Sequence, residues 1–182
     1  WHIADGTRSI VAEPMADGLR IHANPAGVMT NEPPFPDQLR HWETFAHLTD
    51  REPAVTPPRL GRGSGSLGLP GDFSSQSRFV RAAFVKLNSV SGQSENESIS
   101  QFFQILGAVA QQRGCVRLPG GSFEITAYTS CMNTDKGIYY YTTYDNSRVC
   151  AVDLHLEDLD SSCLSSYPLL HKPDFFLQNH SC

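Results

Sequence analysis

The sequence has 182 residues, a net charge of -5, and 40% apolar and 18% charged residues. This length and composition are typical of a water-soluble protein that folds as a single domain around a buried core. The charges are spread along the chain rather than clustered, and no run of about 18 apolar residues occurs, so we expect neither a nucleic acid nor a membrane as a partner.

The cysteines of the sequence indicate a reducing environment. There are five, an odd number, and they form neither a C-x-x-C pair nor a metal-ligand spacing with a histidine. Such cysteines are typical of reduced, structural thiols, so we expect a cytoplasmic protein without a metal ion or another cofactor. The five residues are Cys115, Cys131, Cys150, Cys163 and Cys182.

Short alternating segments at the start of the chain predict antiparallel strands separated by turns rich in Gly, Asp and Asn. The predicted strands cover residues 1–4, 9–13, 19–23 and 28–30. Because the sequence begins with Trp1 rather than Met and already lies in a strand, we expect that a segment precedes it. Three prolines in NEPPFPDQL then predict irregular chain, followed by a short helix over 39–48.

Residues 49–73 form a loop rich in Pro, Gly and Ser, and two amphipathic helices are predicted after it. The first follows GLPGDFSSQS and carries Arg78 on the side opposite its apolar face. The second, near 95–112, begins at Ser94 and Glu97, whose spacing matches a capping box, and Gly114 is expected to end it. The residues expected in the core are Phe79, Val80, Ala83, Phe84 and Leu87 on the first helix and Ile99, Phe102, Phe103 and Leu106 on the second.

The rest of the chain has the alternating pattern of β-strands. The predicted strands cover 115–118, 122–131, 137–145 and 150–157. Strands therefore come first, helices second and strands last, without alternation between the two. This order favours an α+β fold in layers over repeated βαβ units.

Several catalytic or binding motifs are absent or weak. GSGSLG at 63–68 matches G-x-G-x-x-G, but a dinucleotide site needs this run between a strand and a helix, and here a loop hypothesis is favoured. No G-x-S-x-G elbow occurs, and the seven histidines are scattered. Cys131 at a predicted strand end lacks the base or helix N-terminus that would activate a nucleophile, so a structural thiol is favoured.

Two residues carry open alternatives. Asn31, in TNEPPF, is either a turn residue that caps its own backbone or, held by the rigid prolines, an amide donor for an oxyanion. Arg78 lies near a helix N-terminus, where the partial positive charge of the helix disfavours a cation. It either lies on a solvated helix face, forms an ion pair with Asp72, or serves an anion supplied by another part of the fold.

Four blocks of the sequence together resemble the choloylglycine hydrolase family, which contains bile salt hydrolases and penicillin V acylases and belongs to the N-terminal nucleophile (Ntn) hydrolases. In chain order the blocks are NPAGVMTNEPPFPDQL, GLPGDFSSQSRFVRAAF, LGAVAQQRGCV and YTSCMNTDKGIYYYTTYDN. The resemblance covers nearly all 182 residues. The residues of the four blocks are most similar to those of bile salt hydrolases from Gram-positive gut bacteria.

The resemblance implies a four-layer αββα sandwich and hydrolysis of an amide bond by an N-terminal cysteine, whose own α-amino group serves as the base. Thr30-Asn31 matches the family's T-N motif, so Asn31 is expected to donate its side-chain amide to the oxyanion. Arg78 matches the arginine of the family's S-R-F motif and is expected to favour the thiolate electrostatically. No other catalytic position carries over, and Arg81 is expected to be structural or on the surface.

The chain also departs from the family pattern. Trp1 stands at its first position, so we expect the nucleophile to precede it and the 182 residues to be the C-terminal portion of a single choloylglycine hydrolase-like domain with an incomplete sandwich. The resemblance predicts release of glycine or taurine from conjugated bile acids; the alternatives are penicillin V acylase activity and a non-catalytic fragment. The complete protein is expected to form a homo-oligomer, although the stretch between Asn31 and Arg78 is shorter than is usual in the family.

Overall fold

The computed structural model of the chain describes residues 1–52 and 61–179, so part of the predicted 49–73 loop lies outside the described residues. Helices and strands are both present, in an α+β arrangement with two antiparallel sheets. Close backbone contacts define two units, the first formed by 1–91 with 107–109 and the second by 92–106 with the described residues from 110 onward. Within the described ranges, no helix is both long and apolar enough to cross a bilayer.

The regular elements follow the order strands, helices, strands that the sequence predicts. They are β1 (His2–Ala4), β2 (Ser9–Met15), β3 (Gly18–Ala23), α1 (Phe35–Glu43), α2 (Ser75–Asn88), α3 (Glu95–Gly107), β4 (Tyr128–Asn133), β5 (Ile138–Thr143) and β6 (Cys150–Asp153), with single 3-10 turns at Ser64–Ser66 and Leu154–Leu156.

The sheet of the first unit confirms three of the four predicted N-terminal strands. Its order is β1-β2-β3, and Met15 pairs with Gly18 across the tight turn that joins β2 to β3. The predicted strand at 28–30 is wrong. The Asn24 side chain accepts a hydrogen bond from Gly27 N at 2.8 Å and donates one to Val28 O at 3.1 Å, so these side-chain bonds hold the chain in a turn.

Helix α1 begins earlier than the sequence predicts. It starts at Phe35, because Pro36 occupies a position in the first turn where a backbone N–H has no partner within the helix. The N-cap, Pro34, has no side-chain acceptor, and Glu13 of β2 serves instead: both of its carboxylate oxygens lie 3.0 Å from Phe35 N. A neighbouring strand therefore caps this helix, and the residues after Glu43 form turns.

Helix α2 packs against α1 and supplies much of the core of the first unit. Phe79 is fully buried, with its ring centroid 6.1 Å from that of Phe35 and 6.4 Å from that of Trp42. The expected core position at Leu87 is wrong, because this side chain faces an open groove and is 55% exposed. The buried cluster consists of Val11, Ala26, Phe35, Phe79 and Ala83.

In the second unit, helix α3 has the predicted capping box. Ser94 N donates to Glu97 Oε2 at 2.9 Å, and Glu97 N donates to Ser94 Oγ at 3.2 Å. The helix ends at Gly107, short of the predicted 112, and none of its residues is buried, so the expected core positions on it are wrong. Phe102, for example, is 37% exposed.

The sheet of the second unit has the order β4-β5-β6, and all three of its strands lie within or next to predicted ones. The predicted strand at 115–118 and the part of the predicted strand 122–131 that precedes β4 are reduced to one isolated pairing, Arg117 with Phe123. Glycines with positive φ at Gly120 and Gly121 turn the chain there, which limits the pairing. The region therefore has fewer strand residues than its alternating sequence predicts.

Candidate active site

The glycine-rich run 63–68 is a loop, as predicted, and contains only the single turn Ser64–Ser66. A Cβ atom at Gly65 would lie 1.9 Å from Arg51 O and 2.6 Å from Thr49 O, so another segment of backbone occupies the space of a side chain. Glycine is required here by this close approach. The two described residues directly before the run, 61 and 62, form no strand, and the next helix begins only at Ser75, so nothing described here favours the nucleotide hypothesis.

Cys131 lies within β4 and is buried, with 8% of its surface exposed. Burial raises the pKa of its thiol, which lowers the population of the nucleophilic thiolate. Cys115, Cys150 and Cys163 also carry free thiols, and Cys182 lies outside the described residues. In residues 1–52 and 61–179, no group of three or more His, Cys, Asp or Glu side chains is placed to hold a metal ion.

Asn31 and Arg78 meet in the first unit, although 47 positions separate them. Arg78 Nη2 donates to Asn31 Oδ1 at 2.8 Å. Because a guanidinium only donates, it must face the amide oxygen of Asn31, which directs the Asn31 NH₂ group away from Arg78. Asn31 is exposed, and its NH₂ group has no partner among the described residues, so it is free to donate to a ligand.

The first turn of α2 positions Arg78. Ser74 is the N-cap and accepts a hydrogen bond from Ser77 N at 3.3 Å, which fixes the start of the helix. Arg78 Nε donates to Phe73 O at 3.1 Å, so the guanidinium folds back over the loop that precedes the helix. Neither the solvated-face nor the ion-pair alternative describes Arg78, which is half-buried.

The Asp72 carboxylate bonds to serines rather than forming the ion pair with Arg78 that the sequence offered as one alternative. It accepts hydrogen bonds from Ser74 N at 2.9 Å and from Ser77 Oγ at 2.5 Å. Arg81, expected to be structural or on the surface, is half-buried and structural. It donates to Pro70 O and Ala108 O, each at 2.7 Å, and thereby fixes the loop that leads into α2.

The Asn31 backbone is held by the buried side chain of Gln38, to which the sequence gave no role, and by the half-buried Thr30 and Ser75. Gln38 of α1 donates from Nε2 to Asn31 O at 3.0 Å and to Pro33 O at 2.7 Å. The Thr30 hydroxyl lies 2.7 Å from Gln38 Oε1 and 3.0 Å from Ser75 O, and it accepts a hydrogen bond from Ser75 Oγ at 3.0 Å. The segment carrying Asn31 is thus bonded to both α1 and α2.

Asn31 opens onto a groove of about 850 Å³ in the first unit. Its walls combine apolar side chains, among them Trp1, Met15 and Met29, with polar ones such as Glu13 and Gln76. An amide N–H donor beside a guanidinium, next to a partly apolar groove, is suited to stabilising negative charge that develops on a bound carbonyl compound.

The hydrogen bonds to Asp72 predict a stability effect at low pH. Those from Ser74 and Ser77 lower its pKa from 3.8 to about 2. Because the pKa in the folded state is depressed, the stabilisation is complete above about pH 4 and is lost as the pH falls towards 2. The melting temperature of the wild type should therefore decrease as the pH falls from about 4 to about 2, and the decrease should be smaller in Asp72→Asn. The control is Glu43→Gln at an exposed carboxylate; identical acid profiles for wild type and Asp72→Asn would contradict the prediction.

Comparison with known proteins places these residues in a family. A family model described as "Linear amide C-N hydrolases, choloylglycine hydrolase family" matches residues 1–167. A bile salt hydrolase/transferase of Lactiplantibacillus plantarum is 48% identical over 98% of this chain and 57% of its own length. One of Clostridium perfringens is 37% identical over 92% of this chain and 53% of its own length. The chain thus spans about half the length of the curated relatives it matches.

Solved structures show the same relationship. A mutant of the conjugated bile acid hydrolase from Clostridium perfringens matches with a TM-score of 0.85 and 34% identity, over 94% of this chain and 54% of that chain. The penicillin V acylase from Agrobacterium tumefaciens shares the fold, with a TM-score of 0.64 and 21% identity over 81% of this chain and 42% of that chain. From the family match and these relatives, the chain belongs to the choloylglycine hydrolase family of linear amide C-N hydrolases.

Proposed function

We propose that the protein carrying these residues hydrolyses conjugated bile salts and releases glycine or taurine. The observation that carries this proposal is the Asn31–Arg78 pair at 2.8 Å, which opens onto a partly apolar groove. It lies in a chain that is 48% identical to a bile salt hydrolase/transferase. A groove with apolar walls and a localised donor suits a substrate with a large apolar body and one amide bond.

In the proposed reaction, a cysteine thiolate attacks the amide carbonyl carbon. The carbonyl oxygen becomes an oxyanion, and the Asn31 NH₂ group donates to it. The C–N bond then breaks, the amine leaves with the proton that the general base took from the thiol, and water hydrolyses the thioester to the bile acid and regenerates the thiol. Arg78 both fixes the Asn31 amide and provides a positive charge that lowers the pKa of a nearby thiol.

We further propose that the nucleophile is an N-terminal cysteine outside these 182 residues. The unit that contains Asn31 and Arg78, residues 1–91 with 107–109, has no cysteine in its sequence. The buried Cys131 of the other unit has a raised pKa, which disfavours its thiolate. We therefore expect no release of glycine from glycocholate by the 182-residue chain alone, which corresponds to the non-catalytic alternative.

Penicillin V acylase activity is the second candidate, because the fold is shared with such an enzyme. Hydrolysis of taurocholate, glycocholate and penicillin V by the full-length protein, measured in parallel, distinguishes the two. Faster turnover of either bile salt supports the main proposal, and faster turnover of penicillin V supports the second.

The Arg78 side chain offers a test of the proposed site. Arg78→Met should lower the rate of bile salt hydrolysis on the order of 10²-fold, since it removes both the positive charge and the bond to Asn31 Oδ1. It should also move the acidic limb of the pH–rate profile to higher pH, because the thiol loses a stabilising cation. Arg78→Lys keeps the charge without the fork of donors, so its rate should be intermediate and its pH limb unchanged.

The matched control for Arg78 is Arg40→Met, which removes an exposed arginine of α1 that pairs with Asp37. Its rate should equal that of wild type. If Arg78→Met and Arg40→Met have similar rates, Arg78 has no part in the reaction.

Larger features of the protein are also proposals. The two units are proposed to be parts of one domain with the four-layer αββα arrangement of Ntn hydrolases, and the likeness to the bile acid hydrolase structure supports it. A cytoplasmic homo-oligomer is proposed from the family resemblance. Light scattering after size-exclusion chromatography of the full-length protein tests the oligomeric state.

A further inference from the structure

Among the described residues of the first unit, Gln38 has the most completely buried polar side chain, with 1% of its surface exposed. A buried amide without hydrogen-bond partners destabilises a fold. The partners of the Gln38 amide therefore indicate which part of the structure it stabilises. Both hydrogens of Nε2 are engaged, one by Asn31 O at 3.0 Å and one by Pro33 O at 2.7 Å. Oε1 lies 2.7 Å from the Thr30 hydroxyl. Gln38 is therefore bonded to Asn31 itself, to Thr30 before it and to Pro33 two positions after it.

Thr30 extends this network from α1 to α2. Ser75, the first residue of α2, contacts the Thr30 hydroxyl with both its own hydroxyl and its carbonyl group, each at 3.0 Å. Arg78 lies three positions further along the same helix, within one helical turn. The path from Gln38 through Thr30 to Ser75 therefore connects the segment of Asn31 to the turn that carries Arg78.

The Asn31 side chain needs such support because it is exposed and has one hydrogen bond of its own to a described residue, the one from Arg78. An oxyanion donor is effective only if it is already oriented when the charge develops. A displacement of about 1 Å in a catalytic group can lower a rate by about 10²-fold. Bonds to the Thr30 hydroxyl, to the Asn31 carbonyl and to the Pro33 carbonyl two positions further on restrict the backbone from which the donor projects.

We propose that Gln38 is a positioning residue for the oxyanion donor: with Thr30 and Ser75 it holds Asn31 and Arg78 in register, without itself contacting the substrate. This inference rests on the proposed role of Asn31 in amide hydrolysis. Gln38 is not among the residues that line the groove, so it lies below the groove surface. The inference is that kcat nevertheless depends on this residue of α1.

A purely structural role for Gln38 predicts different results. Loss of a buried hydrogen-bonded amide destabilises the whole first unit, and once the sample is folded the remaining protein should have normal kcat. A positioning role predicts that folded variants have lower kcat and nearly unchanged KM, because the ground-state groove is intact while the transition state loses its aligned donor. The two roles are separated by kinetics measured well below the melting temperature of each variant.

The experiment uses the full-length protein and glycocholate. Gln38→Met, which keeps the length of the side chain and removes its polar atoms, should lower kcat by about 10- to 10²-fold with KM changed by less than about 3-fold. Thr30→Val, which removes only the hydroxyl, should have an effect of the same kind. Thr30→Ser restores the hydroxyl and should restore most of kcat.

The control and the double variant make the test specific. Gln111→Met removes another buried glutamine, from the second unit, and should leave kcat unchanged. Gln38→Met introduced into Asn31→Ala should lower kcat by less than about 2-fold more, because the donor that Gln38 positions is already absent and the two effects do not add.

A second measurement keeps the inference testable if the full-length protein hydrolyses none of the substrates, which would contradict the proposed function. Amide hydrogen exchange over residues 29–38 should accelerate in Gln38→Met and Thr30→Val but not in Thr30→Ser or Gln111→Met. Unchanged exchange there would overturn the positioning role whatever the activity. In an active protein, a folded Gln38→Met with wild-type kcat, or full additivity with Asn31→Ala, would also overturn it.

Discussion

Asn31→Ala in the full-length protein is expected to lower kcat for glycocholate hydrolysis by about 10²–10³-fold, the usual effect of removing one oxyanion donor. The physical reason is the direction of the amide: Arg78 holds Oδ1 at 2.8 Å, so the NH₂ group faces the groove and is free to donate. Because the interaction strengthens only as the oxyanion forms, KM should change little. Steady-state kinetics with detection of released glycine measures both parameters.

A matched control for this variant is Asn88→Ala at the end of α2. The Asn88 amide bonds to Phe84 O within its own helix and does not line the groove, so kcat should stay at the wild-type value. Asn31→Asp adds a second comparison, since it keeps the shape but replaces the donor with an anionic acceptor. Turnover by Asn31→Ala within a few-fold of wild type would show that the oxyanion is stabilised elsewhere.

Phe79→Ala is expected to lower the free energy of unfolding by about 3–5 kcal/mol, as for other fully buried phenylalanines. The Phe79 ring is fully buried between those of Phe35 and Trp42, which lie on α1, so its loss leaves a cavity where α1 and α2 pack. Chemical denaturation of the full-length protein, followed by circular dichroism, gives the change in midpoint and slope.

Leu87→Ala on the same helix is the control for the core prediction. Its side chain is 55% exposed, and surface substitutions usually change stability by less than about 0.5 kcal/mol. Equal destabilisation by the two variants would mean that the groove beside Leu87 is filled in the folded protein and that the core extends further along α2 than the structure shows.

The types of the main elements could be predicted from the sequence, but their ends and their buried faces could not. Alternation located β2 and β5, and the spacing of Ser94 and Glu97 located the start of α3, because these signals are local. The start of α1 was missed because its cap, Glu13, comes from a strand 22 positions away. The exposure of Phe102 was missed because periodicity shows which residues share a face and not what that face contacts.

The candidate site was predictable to a smaller extent. Residue chemistry left Asn31 and Arg78 with open alternatives, and only the family resemblance singled them out together. The structure brings the two side chains into contact, while their catalytic roles stay a prediction. Gln38 gave no signal, since a glutamine in a short helix is unremarkable until its burial and its partners are known. For Arg81 the sequence left a structural and a surface role open, and its contact with Ala108 O, 27 positions away, could not be predicted from local pattern.

The groove and the hydrogen-bond network beneath it share Thr30 but otherwise use largely different side chains, and this partial separation bears on how the protein can change. Trp1 and Met15 line the groove, and among the described residues neither side chain is hydrogen-bonded to Thr30 or Asn31. Under the proposed function, substitutions at these two wall positions should alter which acyl group fits without disturbing the proposed donor. On the proposed mechanism, evolution or engineering could therefore redirect the choice of substrate at these positions and leave the orientation of the donor to Thr30, Gln38 and Ser75.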